Sequence, residues 1–159
     1  MKAKYLILDV DGTLTDGKIY ISAHGEAFKV FDVKDGCAIH DIYPSHGGKV
    51  IVITARESDI VEYRCKELKV DMVYQGVRDK AKKMVEIAEF LGLSKNQKGE
   101  YADVAYMGDD IIDLPIMRLC EHKGAPQNAS DQVLREATFV SKKNGGDGAV
   151  REFVEYLCM

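Results

Sequence analysis

The chain has 159 residues, which suits a single domain spanning 1–159 around one core. Its 22 Lys and Arg against 26 Asp and Glu give a net charge of −4 with no basic stripe, so no nucleic-acid partner is expected. No apolar run reaches the length of a membrane span, the opening segment reads as a strand and not as a signal peptide, and Cys37, Cys65, Cys120 and Cys158 lack ligand spacing, as reduced thiols of a cytoplasmic protein would.

In chain order, short β-rich runs alternate with longer helical ones. Lys4–Val10 is a near-continuous apolar run, the pattern of a buried parallel strand. Ile19–Ser22 and Ala27–Phe31 flank Ala23-His24-Gly25-Glu26 and predict a hairpin. Cys37–Ser45 predicts a helix closed by Gly47 and Gly48, and Lys49–Thr54 a second apolar strand. Ser58–Leu68 places Ile60, Val61 and Leu68 at helical spacing, and Asp71–Tyr74 reads as a third strand. Asp79–Leu91 is amphipathic, with Ala81, Met84, Val85, Ala88 and Leu91 on one face and Gly92 as its C-cap. Residues 94–101 read as a polar surface loop, Val104–Met107 as the fourth strand, and Gly148–Leu157 as a closing helix after two short units. The alternation predicts an α/β fold: a Rossmann-like parallel sheet with helices on both faces, plus a β-hairpin extension. Ligands of such sheets bind beyond the carboxyl ends of the strands.

The polar residues at those ends form one chemical set. Asp9, Asp11, Gly12 and Thr13 follow the first strand, and Thr54, Ala55 and Arg56 the second. Lys80 opens the helix after the third, and Asp109, Asp110 and Asp113 follow the fourth. Crowded carboxylates repel unless a cation joins them. Oxygen-only ligands with no His or Cys nearby suit Mg²⁺, so Asp9 and Asp109 are the expected metal ligands. The Thr54 hydroxyl, the Lys80 ammonium and backbone N–H groups around Gly12 and Ala55 are natural phosphate donors. Such a set fits phosphoryl transfer, with Asp9 able to attack phosphorus and Asp11 able to pass protons. Each residue also has a plainer reading. Asp9 and Asp11 could shape a turn, Asp109 or Asp110 could cap a helix, and Lys80, Arg56, Arg64 and Lys34 could be solvated surface cations.

Asp9-Val10-Asp11-Gly12-Thr13, Thr54, Lys80 and Gly108-Asp109-Asp110 with Asp113 resemble, in order, the four motifs of the haloacid dehalogenase-like phosphatases. The resemblance implies Asp9 as nucleophile, Asp11 as general acid and base, and Mg²⁺ held by Asp9, the Asp11 carbonyl and Asp109, with Asp110 and Asp113 in support. Further segments, Phe31-Asp32-Val33-Lys34-Asp35-Gly36, Gln75-Gly76-Val77-Arg78-Asp79-Lys80 and Gly145-Gly146-Asp147-Gly148, are similar to the 3-deoxy-D-manno-octulosonate 8-phosphate phosphatases, a subfamily that also includes phosphatases of nine-carbon sialic-type acids.

Between Asp11 and Ala55 the chain has room for a hairpin and one helix, and between Thr54 and Lys80 for one helix and one strand, so no cap domain is expected. Dry phosphoryl transfer needs cover. The subfamily resemblance implies a homotetramer whose hairpins form a barrel and whose subunits cap each other's sites; an open monomer is the plainer alternative. A sugar acid carries a carboxylate, for which Arg56 is the first candidate and Arg64 and Lys34 further ones. Thr54-Ala55-Arg56 resembles the Thr-Gly-Arg of eight-carbon enzymes, whereas nine-carbon ones tend to carry Glu at position 56. The expectations are therefore an octulosonate 8-phosphate phosphatase, with a nine-carbon acid 9-phosphate phosphatase and a non-catalytic oligomerisation or binding module as rivals.

Overall fold

The computed structural model describes residues 1–159. Its strands are β1 (Tyr5–Leu8), β2 (Tyr20–Ser22), β3 (Gly25–Phe28), β4 (Lys49–Ile53), β5 (Met72–Tyr74), β6 (Tyr101–Met107), β7 (Cys120–Ala125) and β8 (Phe139–Val140). Its helices are α1 (Val33–Cys37), α2 (Tyr43–Ser45), α3 (Asp59–Glu67), α4 (Lys80–Leu91), α5 (Leu114–Met117), α6 (Asp131–Glu136) and α7 (Ala149–Cys158).

Six strands form one parallel sheet in the order β5-β4-β1-β6-β7-β8, and β2 and β3 form a separate antiparallel hairpin. Side chains alternate across a strand, so the central apolar runs feed two cores. Leu6, Leu8, Val50, Val52 and Met107 face Ile39, Tyr43, Val61, Phe153 and Leu157 from the turn after α1 and from α2, α3 and α7. Tyr5, Ile7, Ile51, Ile53 and Tyr106 face Met84, Ile87, Ile116 and Val133 from α4–α6. The chain moves outward from β1 to β5, then returns to build the other half from β6. Strand direction of progress thus reverses between β1 and β6, the switch point where such sheets open a crevice. No separate cap domain covers it.

Several boundaries depart from the sequence reading. The helix expected over Cys37–Ser45 starts at Val33, where Asp32 caps it by accepting from Lys34 and Asp35 N–H groups. It continues through a π-helical turn at Ala38–Ile42 into α2. Gly36 hid the start: glycine argues against helix, yet a Cβ there would stand 2.5 Å from the Arg64 guanidinium. The hairpin turn is only Ala23-His24, since Ser22 already pairs with Gly25. On α4, Val85 is exposed and Ile87 takes its place in the core. Tyr101, expected in the polar loop, is buried and begins β6. The loop itself turns around Asn96, whose side chain accepts from the N–H groups of Lys98 and Glu100.

The C-terminal helix is tied to the front of the chain. Asp35 on α1 accepts from Gly148 N–H (3.3 Å) and Arg151 N–H (2.8 Å), satisfying donors that the first turn of α7 would otherwise leave open. Burial is the main reason its carboxyl is pushed up to about 6. The glycine run before α7 is a helix entry, as its sequence suggests. It is also a seat: Gly146 N–H donates to Thr13 O (3.1 Å), and a Cβ at Gly145 would stand 1.8 Å from Gly12 O.

Candidate active site

The register of the sheet brings the strand-end residues together. Leu8 pairs with both Val52 and Met107, so Asp9 sits one residue beyond β1 between the ends of β4 and β6. Its N–H donates to Met107 O (3.1 Å). Lys80, the first residue of α4, is placed by Asp79, which caps that helix through Lys82 N–H. Such a cap contributes about 1 kcal/mol. The Lys80 side chain is fully buried and its Nζ lies 2.6 Å from both Asp9 Oδ1 and Asp113 Oδ1. Tyr106 completes the knot, with its hydroxyl 2.5 Å from Asp113 Oδ1 and 3.3 Å from Lys80 Nζ. The other Asp113 oxygen accepts from the N–H groups of Asp109 (3.0 Å) and Asp110 (3.1 Å), fixing the loop after β6. Asp110 in turn caps the short 3₁₀ turn Ile111–Asp113, with Asp113 closing a capping box.

Asp9, Asp109 and Asp113 each offer a carboxylate oxygen within 4.8 Å of the others. Burial, reinforced by Asp9 and Asp113, pushes Asp109 up to about 8. Burial also pushes Asp9 up to about 6, against the pull of Lys80. Burial opposes a charge on Lys80, but Asp9 and Asp113 outweigh it and raise its pKa, so it stays an ammonium. Burial and then Asp113 hold Tyr106 well above the ordinary tyrosine range, so it stays a neutral donor.

This donor set fits a divalent cation. Asp113 is committed: its oxygens already take Lys80, Tyr106 and two backbone N–H groups. Asp9 receives only Lys80, and Asp109 only a long 3.4 Å bond from Thr13 Oγ1. Those two carboxylates have lone pairs to spare and electrostatic cost to relieve. Gly12 makes the arrangement sterically feasible. With φ +99° it holds a backbone shape that side chains avoid, and a Cβ would stand 2.1 Å from Asp109 Oδ2. Thr54 is buried at the end of β4, where its N–H donates to Tyr74 O and its carbonyl accepts from Val77 N–H.

Asp11 lies outside this knot, in a second charge cluster that sequence reasoning missed. Lys29, just after β3, is ion-paired to Asp11 and reaches Glu26 at 3.0 Å. Arg56 contacts the same two acids, Glu26 at 3.1 Å and Asp11 at 3.7 Å. Ser58 donates its hydroxyl to Glu26. Burial alone would raise the Glu26 pKa, but Ser58, Lys29 and Arg56 together bring it below its ordinary value. The hairpin is thereby latched over the motif loop. Alternation along β3 could have placed Glu26 on one face, but nothing local says which loop that face meets. Tyr106 was missed for another reason: an aromatic residue in an apolar strand reads as core.

Arg64 and Lys34 are not brought to the site within this chain. Arg64 pairs with Glu67 (2.6 Å) and lies over the Phe31 ring, beside Gly36 in a groove with Val33 and His40. Lys34 is exposed on α1. Ala55 and Arg56 line the cleft at the mouth of the site together with Arg78.

A sheet with reversed progression at its centre, carrying an acidic pair and a buried lysine at the reversal, defines the haloacid dehalogenase-like hydrolases, and the chain belongs to that family. The model of that family matches residues 70–153. Within it the similarity runs to the 3-deoxy-D-manno-octulosonate 8-phosphate phosphatases. The Escherichia coli K12 enzyme of that name is 37% identical over 156 residues, which are 98% of this chain and 79% of that one. Among solved structures, the Moraxella catarrhalis enzyme in complex with magnesium, phosphate and the sugar acid has TM-score 0.90 and 33% identity, covering 98% of this chain and 86% of that one. The cobalt-bound Haemophilus influenzae phosphatase has TM-score 0.89 and 31% identity, covering 98% of this chain and 87% of that one.

Proposed function

We propose that this chain is a magnesium-dependent phosphatase of a small sugar acid phosphate, with 3-deoxy-D-manno-octulosonate 8-phosphate as substrate and Asp9 as nucleophile. One observation carries the reading: Asp9 is a buried carboxylate held by an ammonium and set beside the underused carboxylate of Asp109 at the switch point of the sheet. The names of its relatives support the substrate class.

Asp9, Asp109 and the Asp11 carbonyl would hold Mg²⁺, which would supply positive charge against the phosphate oxygens. Lys80, Thr54 and the backbone at Gly12 and Ala55 orient the phosphoryl group. A carboxylate oxygen of Asp9 attacks phosphorus, the bond from phosphorus to the sugar oxygen breaks, and Asp11 gives that oxygen a proton. Asp11 then takes a proton from water as the water oxygen attacks phosphorus, freeing phosphate and Asp9. Asp110 and Asp113 act by holding Asp109 and Lys80 in place. The cations at the mouth, where Arg56 and Arg78 stand, suit the carboxylate of a sugar acid.

The apolar hairpin supports the proposal of a homotetramer in which subunits cover each other's sites. Ile21 is 75% exposed and Val33 80%, with Phe28 and Val30 half exposed between them. An apolar patch of this kind on a small hairpin fits contact with another copy. In such an assembly Arg64 and Lys34 would face a neighbour's site. All four cysteines are free, and no helix is long and apolar enough to cross a membrane, which supports the expectation of a cytoplasmic enzyme.

Phosphate release from a panel of sugar phosphates, with and without Mg²⁺, tests the reading. The eight-carbon keto acid 8-phosphate should be the best substrate, ahead of nine-carbon acid 9-phosphates. Activity should vanish with chelator, and Asp9→Asn should lower kcat by about 10⁴-fold or more. A folded, Mg²⁺-loaded protein inert toward every ester would overturn the reading in favour of a non-catalytic module.

A further inference from the structure

A cleft of about 260 Å³ is lined by Ala55, Arg56, Arg78 and Ile112. Each stands next to the inner machinery in the chain: Ala55 follows Thr54, Arg78 lies two residues before Lys80, and Ile112 precedes Asp113. The cleft therefore opens at the mouth of the proposed site. Two guanidinium groups line it, and they are not equivalent. Arg56 already faces two acids of the chain, Glu26 at 3.1 Å and Asp11 at 3.7 Å, although its Nη1 has no hydrogen-bond partner. Glu26 is held in turn by Lys29 and Ser58, so a carboxylate arriving at Arg56 would meet two negative charges already fixed there. Arg78 is exposed and pairs with no acid of the chain.

We propose that Arg78 is the residue that binds the substrate's carboxylate, while Arg56, which shares Glu26 and Asp11 with Lys29, latches the hairpin over the site. The inference rests on the sugar acid phosphatase reading and assigns to Arg78 the carboxylate that the sequence alone pointed toward Arg56. A substrate held by its phosphate at Lys80 and Asp9 projects its far end outward through this cleft. There it meets an unpaired, planar, bidentate donor. Ala55 and Ile112 give the carbon chain apolar walls.

The test compares two esters, 3-deoxy-D-manno-octulosonate 8-phosphate and the carboxylate-free glucose 6-phosphate, in wild type, Arg78→Gln and Arg78→Lys. Arg78→Gln should raise KM for the acid by about ten- to a hundredfold more than for glucose 6-phosphate, with a smaller effect on kcat. Arg78→Lys should recover part of the preference, because it restores the charge without the fork. If Arg78→Gln keeps the full preference for the acid, the assignment to Arg78 falls while the phosphatase reading stands. A wild type that prefers glucose 6-phosphate, or turns over neither ester, overturns both.

Discussion

Lys80 and Lys29 are both nearly buried lysines held between two carboxylates. Lys80 bridges Asp9 and Asp113, and Lys29 bridges Asp11 and Glu26. They differ in what stands behind them. Lys80 opens a twelve-residue helix packed on the sheet, and the side chains of its partners are 6% and 0% exposed. Lys29 follows a short two-stranded hairpin with no core of its own, and its partners are 19% and 17% exposed. A lone hairpin is marginal in water. The same ionic motif is thus set in the packed core in one place and near solvent in the other.

The comparison breaks most visibly at Asp113. Asp113→Ala leaves Lys80 with Asp9 alone and frees the N–H groups of Asp109 and Asp110, so urea unfolding should show a loss of about 3–5 kcal/mol. If the loss is under about 1 kcal/mol, water reaches Lys80 and the inner cluster is no more buried than the outer one.

A middle-sized effect concerns pH. Asp9 and Asp109 have folded-state pKa values raised from 3.8 to about 6 and about 8. Raised acids contribute stability that is complete below about pH 4 and is lost as pH climbs through those values. The metal-free protein should therefore melt at a lower temperature at pH 8 than at pH 5.5. Added Mg²⁺ should offset this, with a gain of about 2–3 kcal/mol at a hundredfold excess over Kd, larger at pH 8 than at pH 5.5. Thermal scans with and without Mg²⁺ at both pH values check it. A Mg²⁺ gain that shrinks as pH rises would show that these two carboxylates are not the ligands.

The smallest stability change is expected at the hairpin. Glu26→Gln should cost about 1 kcal/mol or less, because its ion pairs lie near solvent. Its signature is kinetic instead: with the latch loosened, KM should shift while the unfolding midpoint hardly moves. A destabilisation matching Asp113→Ala would make the hairpin an integral part of the fold.

What was legible in the sequence follows the same division. Asp9, Thr54 and Asp109 stand at or just past the ends of apolar runs, Lys80 opens the helix that follows another, and parallel pairing carries strand ends to one edge whatever the details. Glu26 and Lys29 were not legible, because their partners depend on the angle at which a hairpin leaves the sheet. Arg56 stood out two residues after Thr54, but its proximity to Glu26 could not be read from spacing. The helix start at Val33 was hidden by Gly36, whose glycine serves packing against Arg64 and not backbone freedom. Tyr101 was hidden by polar neighbours that surround a buried side chain.

The glycines that seat on the motif loop have a consequence for how the molecule comes into being. Thr13 and Gly12, just after β1, are braced by Gly145 and Gly146, far along the chain and just before α7. Strands β1, β4 and β5 can pair without that segment, but the loop after β1 lacks its support until the glycines dock. Contacts of such long sequence separation form late. A chain whose α7 segment has not docked would therefore hold a largely paired sheet around an unbraced Asp9 loop.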